Sequence, residues 1–184
     1  MKSTRLYSVI WIAMWLGVLP ALADGNWLQW RGPLANGVAP DADPPLEWSE
    51  TQNVRWKVPI PGDGLSVPLV ADRLVFIQTA VPVGEAVAET DAPEPERRGR
   101  GGRRRPAPTQ VHKFDVLALD RQTGKTVWRT TVREMVPHEG SHRDGSLAPA
   151  SPITDGKHLY ACFGSRGLYC LDMQGNVRWE KDLG

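Results

Sequence analysis

The chain has 184 residues and a formal net charge of +1. That balance supplies no global field that would draw the molecule to nucleic acid. Its 18 Gly, 16 Pro and 8 Trp suit a globular protein of short strands and tight turns.

Residues 1–23 read as an export signal. Lys2 and Arg5 supply the positive end, and residues 9–19 form an apolar run. That run is short of the roughly 20 apolar residues a membrane span needs. Pro20 breaks it, and Ala21-Leu22-Ala23 is a small-x-small cleavage site. The mature chain then starts at Asp24, exported to the periplasm or the exterior, with no membrane span. No Cys follows the cleavage site to carry a lipid anchor.

Residues 24–52 are aromatic and then Pro-rich. Trp27 and Trp30 are expected to pack on the body of the protein, because two free indoles on a loose tail are costly. Residues 34–45 form a Pro/Gly/Asp connector. The first strand-like stretch is residues 54–58, with Trp56 at its centre.

Strands are then expected around residues 67–70 and 74–76. Between residues 81 and 113 apolar residues become scarce. The stretch is acidic first, at Glu85, Glu89, Asp91, Glu94 and Glu96, then basic from Arg97 to Arg105. Burial cannot offset its ordering entropy, so it reads as a disordered insertion. An Arg-Gly-Gly element can grip a polyanion, but its acidic half partly neutralises it and export opposes RNA. No nucleic-acid partner is expected.

Residues 114–128, FDVLALDRQTGKTVW, form a hairpin. Val116, Ala118 and Leu119 belong to one arm, and Val127 and Trp128 to the other. Asp120 can accept bonds from the turn's own amides, and Gly124 can take a positive φ.

After Trp128 comes a loop that satisfies H-E-x-x-H, His138-Glu139-Gly140-Ser141-His142. In zinc proteases a helix puts both His on one face while the Glu activates water. Pro137, Gly140 and the following Asp144-Gly145 oppose a helix here. The stretch therefore reads as a loop, and His138, Glu139, His142, Arg143 and Asp144 are candidates for lining a binding site. No catalytic, cofactor-binding or metal-ligating residue is assigned.

From residue 152 to Trp179 the pattern repeats. SPIT…HLY matches VPLV…LVF, and CLDMQGNVRW repeats the hairpin with Asp172, Gly175 and Trp179, one turn residue shorter. Cys162 and Cys170 lie on the two arms of a further hairpin. They can be bridged if the register sets them opposite, and a one-residue slip puts them on opposite faces. Otherwise they pack as small apolar groups.

Four strands ending in a Trp make a unit that cannot bury both faces alone and must stack on its like. At residues 118–128 the chain resembles the pyrroloquinoline-quinone (PQQ) repeat β-propellers. Ala118, Asp120, Thr123, Gly124 and Trp128 match that family's motif A-x-D-x-x-T-G-x-x-x-W at every fixed position. Around Trp179 the Ala is replaced by Cys170 and the Thr is missing. The resemblance implies an all-β partial propeller over residues 53–184. It would comprise about two four-stranded blades and an N-terminal closing strand at 54–58, as the first part of a longer protein. In the family the Trp docks between neighbouring sheets. The resemblance further implies an exported, non-catalytic scaffold or ligand-binding module, similar to the scaffold of the outer-membrane barrel-assembly machinery. Its partner would be a protein or a small molecule on one rim. The alternative it implies is a PQQ-dependent dehydrogenase, an alcohol or sugar oxidoreductase with its active-site residues in further blades. The adjacent cysteines that often accompany that activity are not seen, since Cys162 and Cys170 lie apart.

Overall fold

The computed structural model describes residues 25–40, 42–84 and 105–184. The expected signal at 1–23 and most of the charged run, 85–104, lie outside them. Among the described residues, β-branched and aromatic stretches punctuated by Asp-Gly turns give eight strands and one short 3-10 turn. The first sheet holds β1 (Leu69–Ala71), β2 (Leu74–Pro82), β3 (His112–Asp120) and β4 (Thr126–Met135). The second holds β5 (Ile153–Thr154), β6 (His158–Cys162), β7 (Leu168–Asp172) and β8 (Val177–Lys181). Both are antiparallel and run in chain order from edge to edge. The fold is all-β, a partial β-propeller of two four-stranded sheets.

Alternation along the strands builds the core between the sheets. Phe76, Phe114, Val116 and Ala118 of the first sheet are fully buried, as are Leu159, Ala161, Phe163 and Leu171 of the second. Phe114 meets Phe163 edge-on, with centroids 5.4 Å apart. Each of the Phe, Val and Leu side chains among them stabilises the fold by about 1.5–3 kcal/mol through burial alone. Polar bonds cross the same junction, as where Gln78 Nε2 donates to the Cys162 carbonyl at 3.0 Å.

The segment expected as a closing strand, 54–58, takes no ladder hydrogen bonds among the described residues. A ladder needs a neighbouring strand, and none is described beside it. The segment instead crosses the far face of the first sheet. Trp56 Nε1 donates to the Arg121 carbonyl at one end, and Thr79 Oγ1 donates to the Pro61 carbonyl at the other. In between, Trp56, Val58 and Ile60 are half-buried while Lys57 and Pro59 are exposed. The period of two is that of a strand, held here by side chains.

Two expectations change in detail, and the alternative left open for the cysteines is decided for unbridged thiols. The insertion expected over 81–113 is narrower, because Val81 pairs with Lys113 and Pro82 with His112. Val and Phe on alternate positions carry the β2–β3 hairpin further than the sparse composition suggests. Trp27 pairs with Val70 and is half-buried, but Trp30 is 61% exposed. The turn closed by the Gly32 amide on the Gln29 carbonyl swings Trp30 outward, with Arg31 over its ring. Cys162 and Cys170 are both free thiols. Cys170 faces Tyr160 and Cys162 faces Leu168, so the two share a face but stand two residues out of register. That diagonal is too long for a disulfide without movement of the strands.

Candidate functional site

The strands divide their connections between two rims. The tight turns at 72–73, 121–125, 155–157 and 173–176 share one. The described ends of the long β2–β3 connection, 83–84 and 105–111, share the other with 136–152 and 163–167.

On the tight-turn rim, one aspartate organises each hairpin turn. Asp120 Oδ1 accepts from the Gln122 and Thr123 amides and from the Thr123 hydroxyl, at 3.1, 2.9 and 2.8 Å. Asp172 Oδ1 accepts from the Gln174 and Asn176 amides, and Oδ2 from the Asn176 side chain. Those bonds hold both carboxyls below their ordinary range: Thr123 is the chief cause for Asp120, and Asn176 for Asp172.

Each of these turns receives a Trp from elsewhere in the chain. Trp128 Nε1 donates to the Met173 carbonyl at 3.0 Å, and Trp56 Nε1 to the Arg121 carbonyl at 2.9 Å. In both cases the acceptor is the residue directly after the turn aspartate. The turn glycine makes room for the ring. A Cβ on Gly175 would lie 2.7 Å from Trp128, and one on Gly124 2.7 Å from Trp56. Both glycines also have positive φ, 88° and 72°. Ala118 lies opposite Trp128 and Cys170 opposite Trp179, so a small side chain leaves space for each indole within its own sheet.

On the long-connection rim, residues 138–142 are not helical. Of the five candidates, His142 and Arg143 meet at Asp144, 3.9 Å from its carboxylate in each case, while Glu139 is drawn to the second sheet. His138, His142, Arg143 and Asp144 are exposed, and His142 Nδ1 accepts from the Asp144 amide at 3.2 Å. Glu139 is engaged by the second sheet: Ser165 Oγ donates to its carboxylate at 2.8 Å. Arg166 Nη2 donates to its backbone carbonyl at 2.9 Å, and Arg166 Nη1 lies 3.8 Å from its carboxylate. The Arg166 side chain is only 6% exposed and its guanidinium lies over the Phe114 ring. Burial pushes it below the ordinary arginine value, and the Glu139 charge opposes that. Among the described residues, no group of three His, Cys, Asp or Glu is arranged to hold a metal.

Residues 112–184 match the family model described as outer membrane protein assembly factor BamB, a PQQ repeat. Over those residues the chain is similar to PQQ-like repeats. The match begins at the first residue of β3 and runs through β8, so it takes in half of the first sheet and all of the second. No curated protein matches the chain.

A flat polycarboxylate such as the quinone calls for free cations and a stacking surface, and Arg166, the buried cation of the rim, is already bound to Glu139 and seated on Phe114.

Sequence reasoning missed several residues. Arg121 and Met173 act through their carbonyls, so their side chains carry no signal; only their place after the turn aspartate marks them. Ser165 and Arg166 gave no sign of contact with the H-E-x-x-H loop. Asp115 could have been noticed as a charge inside an apolar run. It is fully buried, bound by both the Nε and Nη2 of Arg129, and accepts from Thr131 Oγ1 at 2.7 Å.

Proposed function

We propose that this chain is part of an exported propeller acting as a non-catalytic scaffold, which presents its long-connection rim to a protein partner. The match of residues 112–184 to an outer-membrane assembly factor carries the reading. Two features of the geometry support it. Trp128 seats on the Gly175 turn and joins sheet to sheet. Asp120, Thr123 and Asp172 bind within their own turns, and Gly124 makes room for Trp56. The motif residues, Ala118 and Trp179 included, are therefore read as architecture rather than chemistry. Glu139, the one rim acid placed to activate water in the H-E-x-x-H pattern, is spent on holding the loop to Ser165 and Arg166.

Site-directed photo-cross-linking in cells tests it. A photoreactive residue at His142 or Arg143 should cross-link to a component of the barrel-assembly machinery. The same residue at Asp155 or Gln174, on the tight-turn rim, should not. Equal labelling from both rims would overturn the assignment of the partner face. Alcohol or sugar oxidation by purified protein supplied with the quinone and calcium would replace the scaffold reading with a dehydrogenase.

A further inference from the structure

Where the β2–β3 hairpin ends, separate pieces of chain meet around a recess of about 370 Å³. Pro82 and His112 finish the hairpin and form one wall. Arg105 and Pro106 return along the rim, tied by the Arg105 amide to the Ser141 carbonyl at 2.8 Å. That approach is backbone against backbone: a Cβ on Gly140 would collide with the Arg105 carbonyl oxygen. Asp63 is fixed across the recess by its paired backbone bonds with Ala80, both 3.0 Å, and Leu147 closes the side.

Pro82, Pro106 and Leu147 make the walls largely apolar. Two residues of opposite charge, Asp63 and Arg105, are among those that line the recess. Neither side chain has a hydrogen-bond or ion-pair partner among the described residues, whereas Lys57, Arg73, Lys113 and Arg178 are all paired with acids. Proline and leucine walls with one unpaired acid and one unpaired base suit a ligand that carries both charges on an apolar body. The size lies near the lower end of small-ligand cavities, which run from about 300 to 1,000 Å³, and accommodates two or three amino-acid residues.

We propose that this recess binds a short peptide with free termini. Its ammonium is directed to Asp63, its carboxylate to Arg105, and its side chains lie on the proline walls. This goes beyond the scaffold role and does not depend on it.

The test is titration of the full chain with the dipeptide Ala-Leu, followed by amide chemical shifts and calorimetry. Saturable binding is expected. The N-acetylated and the C-terminally amidated forms should each bind about tenfold or more weakly, since each leaves a charged group unpaired. Asp63→Asn should abolish the discrimination against the acetylated form only, and Arg105→Gln that against the amide only, with unchanged thermal melting. Absence of saturation at millimolar peptide, or equal binding of the blocked forms, would overturn the proposal. The blocked peptides need no variant, so the result stands even if a substitution disturbs folding.

Discussion

Equivalent rows of side chains cross the two sheets and meet different fates. Leu69, Phe76, Ala118 and Trp128 face one another across the first, and Ile153, Tyr160, Cys170 and Trp179 across the second. In the first row Leu69, Phe76 and Ala118 are 1% exposed or less, because the second sheet covers them. In the second row Ile153 is 48% exposed and Trp179 45%, while the small Cys170 between Tyr160 and Trp179 is 1% exposed. For the large apolar side chains of these rows, burial therefore follows the junction and not the residue type. A four-stranded sheet can hide one face only against a neighbour.

The largest effect should separate the two tryptophans. Trp128 loses its ring contact with Phe76 and its bond to Met173 when truncated. Trp128→Ala should cost about 3 kcal/mol in urea unfolding, near the low end of the range for large aromatics. Trp179→Ala should cost about 1 kcal/mol or less, as expected for a half-exposed side chain. Equal losses would show that the sheet junction is not what stabilises the first row.

A smaller effect isolates the socket from the backbone. Gly175 and Gly156 have nearly the same φ, 88° and 86°. A Cβ at Gly175 meets the Trp128 ring at 2.7 Å, while one at Gly156 meets nothing within 4 Å. Gly156→Ala should cost about 1 kcal/mol, the strain of the left-handed conformation alone. Gly175→Ala should cost roughly twice that, since overpacking adds its own penalty. If the two variants melt together, the ring gives way and the socket is loose.

The smallest effect compares the turn aspartates. Asp120 and Asp172 both have carboxyls held below the ordinary value. A group lower in the folded than in the unfolded chain stabilises the fold above the unfolded pKa of about 3.9. That contribution is lost as pH falls through the folded value. Stability should thus decline as pH drops below about 4, and Asp172→Asn should flatten the decline. The same acid slope in Asp172→Asn and wild type would move the sensitivity to other carboxyls.

Much of this contrast can be seen in the letters. Leu-Asp, a turn Gly and a Trp recur at fixed spacing, and strand alternation around Phe76 and Tyr160 repeats without a gap. Local chemistry is enough there, because a turn aspartate binds amides two to four residues away. The rim was less legible. His138, Glu139, His142, Arg143 and Asp144 lie close in sequence, but the chain is not helical there, and Asp144 gathers His142 and Arg143 while Glu139 goes to the other sheet. What holds Glu139 comes from a 3-10 turn (Gly164–Arg166) in the other sheet, which no local pattern announces.

The sequence by itself determined the strands, their turns and the need for a neighbour, because period-two burial, aspartate-capped turns and positive-φ glycines act over a few residues. The tertiary structure alone decided which carbonyl each Trp binds, which row is buried, and that Cys162 and Cys170 miss each other by two positions. It also brought Asp63 and Arg105 to one recess. Those outcomes depend on register and on the stacking of sheets, where residues tens of positions apart meet and composition carries no record of the meeting.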